Sequence, residues 1–311
     1  MQPFAYHEGQ REVQREANSV ACADKLSTWV GPVADFAAMA DLIVLAHRAD
    51  ETWRIAALSG TPPLVAMVSE AGALTMRLPT TVQGHLPDGG ACGGIVINPA
   101  MARRSRVSGV LRRTDDGFDL PCAIAFTNCR KYMAPTVSRD GPPGVGPTHT
   151  EACALSDEWI AQTVAQCETA FLITATPASV ADVSHRGGKP GFLRYDAAAA
   201  QLSWTEYLGD GMFVSTGNIR RRHDAVLVAI DFDSGDAARL DLECDYENLL
   251  ADRHERVDAL LQAGEPFPVQ GRMTARVRAV ARMIGFCLPR AHVASRTRIT
   301  SADSIAVQHP Q

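Results

Sequence analysis

The sequence predicts a mainly β protein with a few helices, in which one barrel or sandwich domain is duplicated along the chain. Its apolar segments are short, contain β-branched residues and are bounded by Gly or Pro, a pattern typical of strands. They lie at residues 42–46, 64–68, 94–97, 171–174, 192–195 and 226–230. Many short strands with few helices favour barrels or sandwiches. The sequence also lacks the glycine-rich loops of Rossmann and P-loop nucleotide sites.

An internal repeat indicates the duplication. The segment that begins at Asp41 aligns without a gap with the segment that begins at Thr169, an offset of 128 residues. After a slip of five residues, the alignment continues with Ile97 on Ile230. Each unit is much longer than a solenoid repeat, so we expect a duplicated domain rather than a stacked array.

The two repeats are separated by a segment rich in chain breakers. Residues 134–150 contain four prolines and three glycines, too many for a helix or a central strand. We therefore expect a first repeat at residues 1–133, a surface linker at 134–150, and a second repeat with a C-terminal extension at 151–311.

A few further elements can be predicted locally. Residues 118–126 fit a strand, followed by a short turn or helix at 128–133. Asp157 and its neighbours provide an N-cap and an acidic first turn for a helix that ends at Gln166. Residues 248–263 are a second helix candidate. Residues 272–280 are ambiguous, because their arginines fit either one side of a strand or scattered positions on a helix.

Composition and charge exclude several classes of protein. The chain is 46% hydrophobic and 21% charged, as in soluble globular proteins. A net charge of −5 and a pI near 6.0 argue against binding to nucleic acid or to an anionic membrane. The apolar runs are too short to span a bilayer, and the first residues lack the features of a secretory signal. We expect a cytoplasmic protein.

The eight cysteines form no C-x-x-C pair and no zinc-type spacing. We expect most of them to be reduced and buried, and we expect no structural metal. Of the 30 basic residues only Lys25, Lys131 and Lys189 are lysines. A GC-rich genome explains the excess of Arg, but not the place of two of these lysines within the motifs described below.

The densest group of polar side chains lies at residues 182–192. It combines a hydroxyl, an imidazole, two cations and paired glycines: Ser184, His185, Arg186, Gly187, Gly188 and Lys189. The glycines permit close approach of a ligand to the backbone, and a guanidinium can hold a phosphate with two hydrogen bonds. The segment is a candidate anion cradle, and a solvated β-turn fits the same residues equally well.

A second basic cluster occupies residues 103–106. On a strand, Arg104 and Arg106 share one face, opposite Arg103 and Ser105. Such a run is usually a solvated strand edge, but it is also a candidate phosphate contact. His185 is the candidate catalytic residue, because imidazole exchanges a proton near neutral pH; a hydrogen-bonding partner of the neighbouring arginine is the alternative.

Three other side chains have both a functional and a structural interpretation. Cys129 is a candidate nucleophile or a buried spectator, and Lys131 is a site cation or an exposed lysine. Trp204 and Tyr207 could stack on a planar ring or fill the core.

Five motifs resemble those of one protein family. Residues 182–192 fit D-V-S-H-R-G-G-x-P-G-F throughout; residues 6–14 resemble F-H-x-G-x-x-x-x-Q, residues 103–109 R-R-x-R-x-N-G, residues 128–132 N-C-P-K-Y, and residues 207–219 Y-x-G-N-x…G-N-I. This set resembles the pyridoxamine 5′-phosphate oxidase-like flavoproteins, in a bacterial branch with two tandem copies. The resemblance covers about residues 4–244 and continues more weakly to 290.

Besides Tyr6 in place of Phe, three residues differ from the family motifs. Arg130 replaces Pro, Ser108 replaces Asn and Asp210 replaces Asn. A carboxylate at Asp210 would repel a phosphate, or it would face a substrate cation.

The resemblance implies two tandem FMN-binding split β-barrels of Greek-key topology, with FMN in the groove where they meet. The two repeats would form an intrachain pseudo-dimer, so the protein would be a monomer or a homodimer. The first repeat has residues 59–62, Ser-Gly-Thr-Pro, where the second has residues 187–190, Gly-Gly-Lys-Pro. One working flavin site, built mainly on the second repeat, is therefore expected.

The resemblance also implies roles for individual residues. Arg186 and Lys189 would hold the FMN phosphate, with Ser184 and the amides of Gly187 and Gly188 as donors. His185 would lie near the flavin or substrate. The remaining cofactor contacts are expected from Trp204, Tyr207, Asn218, Arg104, Arg106 and Lys131.

We expect an FMN-dependent oxidoreductase that oxidises or reduces a small metabolite by two electrons, with O₂ or NAD(P)H as its redox partner. A non-catalytic flavin- or haem-binding protein is the alternative, with another flavin or F420 also compatible. A third alternative is a structural or regulatory barrel without a cofactor.

Overall fold

A computed structural model describes residues 5–27, 31–49, 51–70, 72–133, 141–250 and 265–290. The α-helices within these residues are α1 Glu8–Glu16, α2 Val20–Ser27, α3 Val33–Ala38, α4 Glu158–Gln166 and α5 Val214–Arg222, with a 3₁₀ helix at Thr80–Gly84. Strands make up most of the remaining regular structure, so the prediction of a mainly β protein is confirmed. Among the described residues, no helix combines the length and apolar character needed to cross a membrane.

The first sheet is entirely antiparallel and has the strand order β3-β4-β8-β6-β5-β1-β2-β9, with β7 paired to β8. Its strands are β1 Leu42–Ala49, β2 Thr52–Ser59, β3 Ala66–Glu70, β4 Ala73–Pro79, β5 Ala91–Asn98, β6 Arg103–Val110, β7 Arg112–Thr114, β8 Gly117–Thr127 and β9 Gly144–Gly146.

The second sheet is also antiparallel and has the order β12-β11-β15-β16-β17-β14-β13, with β10 paired to β17. Its strands are β10 His149–Cys153, β11 Thr169–Ala175, β12 Ala181–Gly187, β13 Leu193–Asp196, β14 Gln201–Tyr207, β15 Asp224–Ile230, β16 Ala237–Asn248 and β17 Val269–Ile284.

Seven strands follow the same order in both sheets. The path β3-β4-β8-β6-β5-β1-β2 matches β13-β14-β17-β16-β15-β11-β12. The first residues of β4 and β14, Ala73 and Gln201, are 128 positions apart, the offset of the sequence repeat. The repeat in the sequence therefore coincides with a repeated strand order.

Alternating side chains of the central strands serve two different cores. On β1, Ile43 and Leu45 face the core enclosed by the first sheet, whereas Leu42 and Val44 face a core between the two sheets. Phe171 of β11 joins that shared core from the second sheet. Because both faces of these strands are buried, their sequences are continuously apolar rather than alternating.

Several local predictions can be compared with these elements. The ambiguous residues 272–280 lie in β17, where exposed and buried side chains alternate. Helix α4 begins as predicted, with the Asp157 side chain accepting a hydrogen bond from the Ile160 amide at 3.0 Å. The segment expected to be a linker contains β9, an edge strand. Most of the 248–263 helix candidate lies outside the described residues, and helices α1–α3 and α5 were not predicted.

Candidate functional site

A cavity lies between the two sheets and contains about 810 Å³ of empty space, part of it open to solvent. Strands β6 and β8 and residues 128–132 line it from the first half of the chain, and β12, β14 and the start of α5 line it from the second. Neither half forms the cavity alone.

Strand β6 carries two arginines to the second half. Arg104 donates a hydrogen bond to His185 Nδ1 at 2.5 Å, and Arg106 pairs with Asp182 at 3.2 Å. Arg103 points to the opposite side, where its guanidinium lies over the Phe36 ring. The alternation of a strand therefore separates these three cations as the sequence predicted.

His185 is buried and neutral. Burial holds its pKa well below the ordinary value, and the positive charges of Arg104, Arg186 and Arg106 lower that pKa further. A guanidinium can only donate a hydrogen bond, so His185 Nδ1 is the acceptor. The proton of the neutral ring consequently resides on Nε2.

Two buried polar side chains, Ser184 and Asp182, fix the position of Arg106. Ser184 donates to Asp182 Oδ2 at 2.8 Å, and Asp182 in turn accepts two hydrogen bonds from Arg106. Ser184 is fully buried and does not line the cavity. The hydroxyl predicted to bind phosphate instead holds the carboxylate that orients Arg106.

Arg186 lies on the cavity wall in a different network. Its Nε donates to Glu206 Oε1 at 2.6 Å, and its Nη2 donates to the Ser215 hydroxyl at 2.8 Å. Trp204 Nε1 also donates to Glu206 Oε1, at 2.8 Å. Trp204 is thus fixed by a hydrogen bond at the cavity wall, with most of its indole in the core of the second sheet.

The amino end of α5 opens onto the same wall. Its N-cap, Phe213, has φ of 52° and provides no side-chain cap for the first turn. Val214, Ser215 and Thr216 all line the cavity. The free amides and positive dipole of a helix start attract anions, and here they lie beside the Arg186 guanidinium.

Several buried polar atoms around the cavity lack a hydrogen-bond partner within the described part of the chain. They are Arg104 Nε, Arg106 Nε, Asn128 Oδ1 and Thr216 Oγ1. Buried polar groups are almost always satisfied in native proteins. Four of the ten such atoms found among the described residues belong to side chains that line this cavity.

Aromatic side chains from both halves meet at the rim. The Tyr132 and Tyr207 rings are 5.3 Å apart, and each contacts Phe267. Tyr132 donates to the Leu208 carbonyl, and Tyr207 donates to Glu265. Tyr132 adopts a left-handed backbone with φ of 62°, which is uncommon for a side chain of this size and occurs more often at functional sites.

The glycine-rich turn contacts the first half closely at one point. A Cβ at Gly187 would lie 2.2 Å from the Tyr132 carbonyl oxygen, so only glycine fits there. Gly188 donates its amide to the Glu168 carbonyl instead of the cavity. Lys189 is exposed, and neither it nor Gly188 or Lys131 lines the cavity.

Asn218 links the N-terminal helix to α5. Its side-chain oxygen contacts His7 Nε2 at 2.8 Å and accepts from Gln10 at 3.0 Å, while its amide donates to Thr174 at 2.9 Å. Gln14 adds a hydrogen bond to the Met212 carbonyl. Asn218 lies outside the main cavity, where it anchors the helix whose first turn lines that cavity.

The segment 128–132 and Asp210 complete the lining. Asp210 accepts hydrogen bonds from the Asn128 side chain at 3.2 Å and from the Met212 amide at 3.1 Å. Cys129 Sγ lies 3.9 Å from Arg104 Nη2. Asp210 therefore faces the cavity with both oxygens held by the protein.

Two contributors to the site were missed by the sequence analysis. Glu206 and Thr216 line the cavity, yet neither was named as a candidate. Thr216 lies within the motif that suggested Asn218, so its hydroxyl was the available signal. Glu206 carried no such signal, because its role depends on Arg186, 20 residues earlier and on another strand.

Comparisons with known proteins found no matching family model and no matching curated protein. Several solved structures match parts of the chain. A candidate pyridoxamine 5′-phosphate oxidase from Lactobacillus delbrueckii is 17% identical over 42% of this chain and 98% of its own, with a TM-score of 0.32.

Two further solved structures are less similar in sequence. The HupZ protein of Group A Streptococcus is 11% identical over 40% of this chain and 90% of its own, with a TM-score of 0.31. A candidate 5-nitroimidazole antibiotic resistance protein from Bacteroides thetaiotaomicron is 8% identical over 43% of this chain and 88% of its own, with a TM-score of 0.27.

Proposed function

We propose that the cavity between the sheets binds FMN and that the protein is an FMN-dependent oxidoreductase acting on a small metabolite. In this proposal the two sheets are tandem split barrels that form a pseudo-dimer within one chain. The observation that carries the proposal is the uncapped start of α5, which places free amides, the Thr216 hydroxyl and Arg186 at one end of the cavity.

This corner suits the phosphate of FMN better than the predicted turn does. Lys189 is exposed and outside the lining. The first turn of α5 offers amide donors, and Thr216 Oγ1 has no partner among the described residues. We therefore propose that the first turn of α5 and Arg186 bind the phosphate, and that Lys189 does not contact it.

The remaining lining residues would position the flavin and a substrate. Tyr207 and Trp204 offer flat apolar surfaces, and His185 offers a neutral imidazole with its proton on Nε2. A bound flavin would supply two-electron redox chemistry, with O₂ or NAD(P)H as the other partner. The protein residues would hold and orient the reactants and provide a fixed donor at His185.

The haem-binding alternative is not favoured at His185. An axial ligand needs an imidazole nitrogen with a free lone pair. Arg104 occupies Nδ1, and Nε2 carries the proton. His7 and His47 also use Nε2 in contacts, with Asn218 and the Gly89 carbonyl.

The test compares FMN with riboflavin, which lacks the phosphate, by quenching of flavin fluorescence on titration with protein. We expect FMN to bind at least about tenfold more tightly, since a charge-assisted hydrogen bond contributes about 1.5–3 kcal/mol. Thr216→Val and the paired change Arg186→Gln with Glu206→Gln should reduce this preference. Lys189→Ala is the control and should leave it unchanged.

Three results would contradict the proposal. Absence of flavin binding would remove the proposed function. Equal binding of FMN and riboflavin, or a preference abolished by Lys189→Ala alone, would remove the phosphate site at α5 while leaving a flavin site possible elsewhere in the cavity.

A further inference from the structure

We infer that Arg104 and His185 form a second anion subsite in this cavity, which takes the carboxylate of the substrate. The inference rests on the proposed function, because the proposed redox reaction defines which bound molecule is the substrate. The subsite itself follows from the charge and hydrogen bonding of Arg104, which the phosphate corner at α5 does not use.

Arg104 is a buried cation that lacks a carboxylate partner within 4.0 Å in the described residues. Its exposure is 7%. Other buried or nearly buried arginines are paired: Arg48 with Asp224, Arg106 with Asp182 and Arg186 with Glu206. An unpaired buried charge is costly, and a ligand anion would offset that cost.

The guanidinium retains donors for such an anion. Nη1 donates to His185 Nδ1, and Nη2 donates to the Lys131 carbonyl at 3.2 Å. Nη2 also contacts Cys129 Sγ at 3.9 Å, so of the five N–H groups of the guanidinium one on Nη1 and the unpartnered Nε are left. A carboxylate matches the geometry of a guanidinium well.

His185 supports a carboxylate without adding charge. Its neutral ring, fixed by Arg104 at Nδ1, presents Nε2 as a donor. The subsite therefore combines one unpaired positive charge with one neutral donor. A single negative charge fits this combination better than the double charge of a phosphate.

The nearby acidic residue does not replace a ligand anion. The negative charge of Asp210 favours the charged form of Arg104 and so acts to raise its pKa. The two side chains nevertheless form no ion pair within the described chain. Its oxygens accept hydrogen bonds from Asn128 and from the Met212 amide. Arg104 also comes from β6 of the first sheet, whereas the phosphate corner belongs to the second.

The experiment measures acetate binding by calorimetry, with chloride at equal ionic strength as the reference. Wild-type protein is tested without flavin and again after loading with FMN. We expect acetate to bind in both states and Arg104→Gln to weaken its binding by about tenfold or more. Arg103→Gln, on the opposite face of the same strand, should have no effect.

A more conservative variant keeps the test decisive if Arg104→Gln fails to fold. Arg104→Lys retains the charge but loses the planar guanidinium, and it should still weaken acetate binding. No acetate binding, or binding unaffected at Arg104, would overturn the inference. Competition between acetate and FMN, with FMN binding weakened in Arg104→Gln, would instead assign Arg104 to the cofactor. Failure of FMN binding alone would contradict only the proposed function.

Discussion

Strands β12 and β2 hold matching positions in the two sheets, but their surroundings differ. β12 is the last strand of its sheet, and its end borders the cavity. β2 has a further strand, β9, hydrogen-bonded along its outer edge. The two sheets thus share a strand order but differ at this edge: the end of β12 borders the cavity, whereas β9 pairs along the edge of β2.

The side chains follow this difference. At the offset of 128 residues, His185 and Arg186 of β12 correspond to Ala57 and Leu58 of β2. Ala57 lies in the core between the sheets, and Leu58 lies in the core of the first sheet. The two side chains are polar on β12, where they border the cavity, and apolar on β2, where they pack in a core.

The C-terminal part of the described chain completes the cover over β2. The Leu288 amide donates to the Ser59 hydroxyl at 2.7 Å, and Gly146 of β9 lies against the Gly285 carbonyl. Two sheets with the same strand order thus differ in whether this edge is covered by the chain.

The largest effect is expected from placing a charge at the covered position. Leu58→Arg introduces the residue found at the matching site of β12, but without a carboxylate such as Glu206. An unpaired charge in this core should lower the free energy of unfolding by about 3–5 kcal/mol, measured by urea denaturation. Thr52→Arg, at an exposed position on the same strand, should change it by less than about 0.5 kcal/mol. A stable Leu58→Arg protein would contradict the contrast between the two edges.

A smaller effect is expected where β9 meets the C-terminal segment. A Cβ at Gly146 would lie 2.0 Å from the Gly285 carbonyl oxygen, whereas a Cβ at Gly144 of the same strand would meet nothing within 4 Å. Gly146→Ala should therefore lower the free energy of unfolding by about 1–3 kcal/mol. Gly144→Ala should be close to neutral. Equal effects of the two changes would show that the cover over β2 is not closely packed.

The smallest effect is a pH dependence that belongs to the open edge alone. His185 has a folded-state pKa well below its unfolded value, because of burial and neighbouring arginines. Below about pH 6.5 the unfolded chain gains a proton that the folded chain does not, so stability falls by about 1.4 kcal/mol per pH unit. Ala57, the matching residue on β2, has no titratable side chain, so no such pH dependence arises at the covered edge.

The measurement compares urea unfolding of wild-type protein and His185→Asn between about pH 7 and pH 5. The difference in slope should match the loss of one proton-binding group. His149→Asn changes an exposed histidine and serves as the control. Identical pH profiles for wild type and His185→Asn would show that His185 does not carry this linkage.

The sequence allowed prediction of the repeated strands because their signals are local. Short apolar segments bounded by Gly or Pro predict strands from local sequence alone, and those that became β1 and β11 lie in the part of the repeat that aligns without a gap. The positions of Arg104 and Arg106 on one face also followed from the period of a strand. These features require no knowledge of long-range contacts.

The phosphate corner could not be predicted in the same way. Lys189 and Arg186 are neighbours in sequence, yet one is exposed and the other pairs with Glu206 of β14. The pairing of strands decides which cation faces the cavity, and no short motif records it. Thr216 lies in the motif that suggested Asn218, but that its hydroxyl lacks a partner among the described residues is visible only in the structure.

Helix α1 belongs by contact to the second half of the molecule, since His7 meets Asn218, 211 residues later. During synthesis the helix leaves the ribosome long before its binding surface exists. Val13 of this helix and Ala17 at its C-terminal end join the core of the second sheet, and they have no native partner until that surface is made. Packing of α1 is therefore a late event in folding during synthesis, and chains truncated before α5 would leave Val13 and Ala17 without their native contacts.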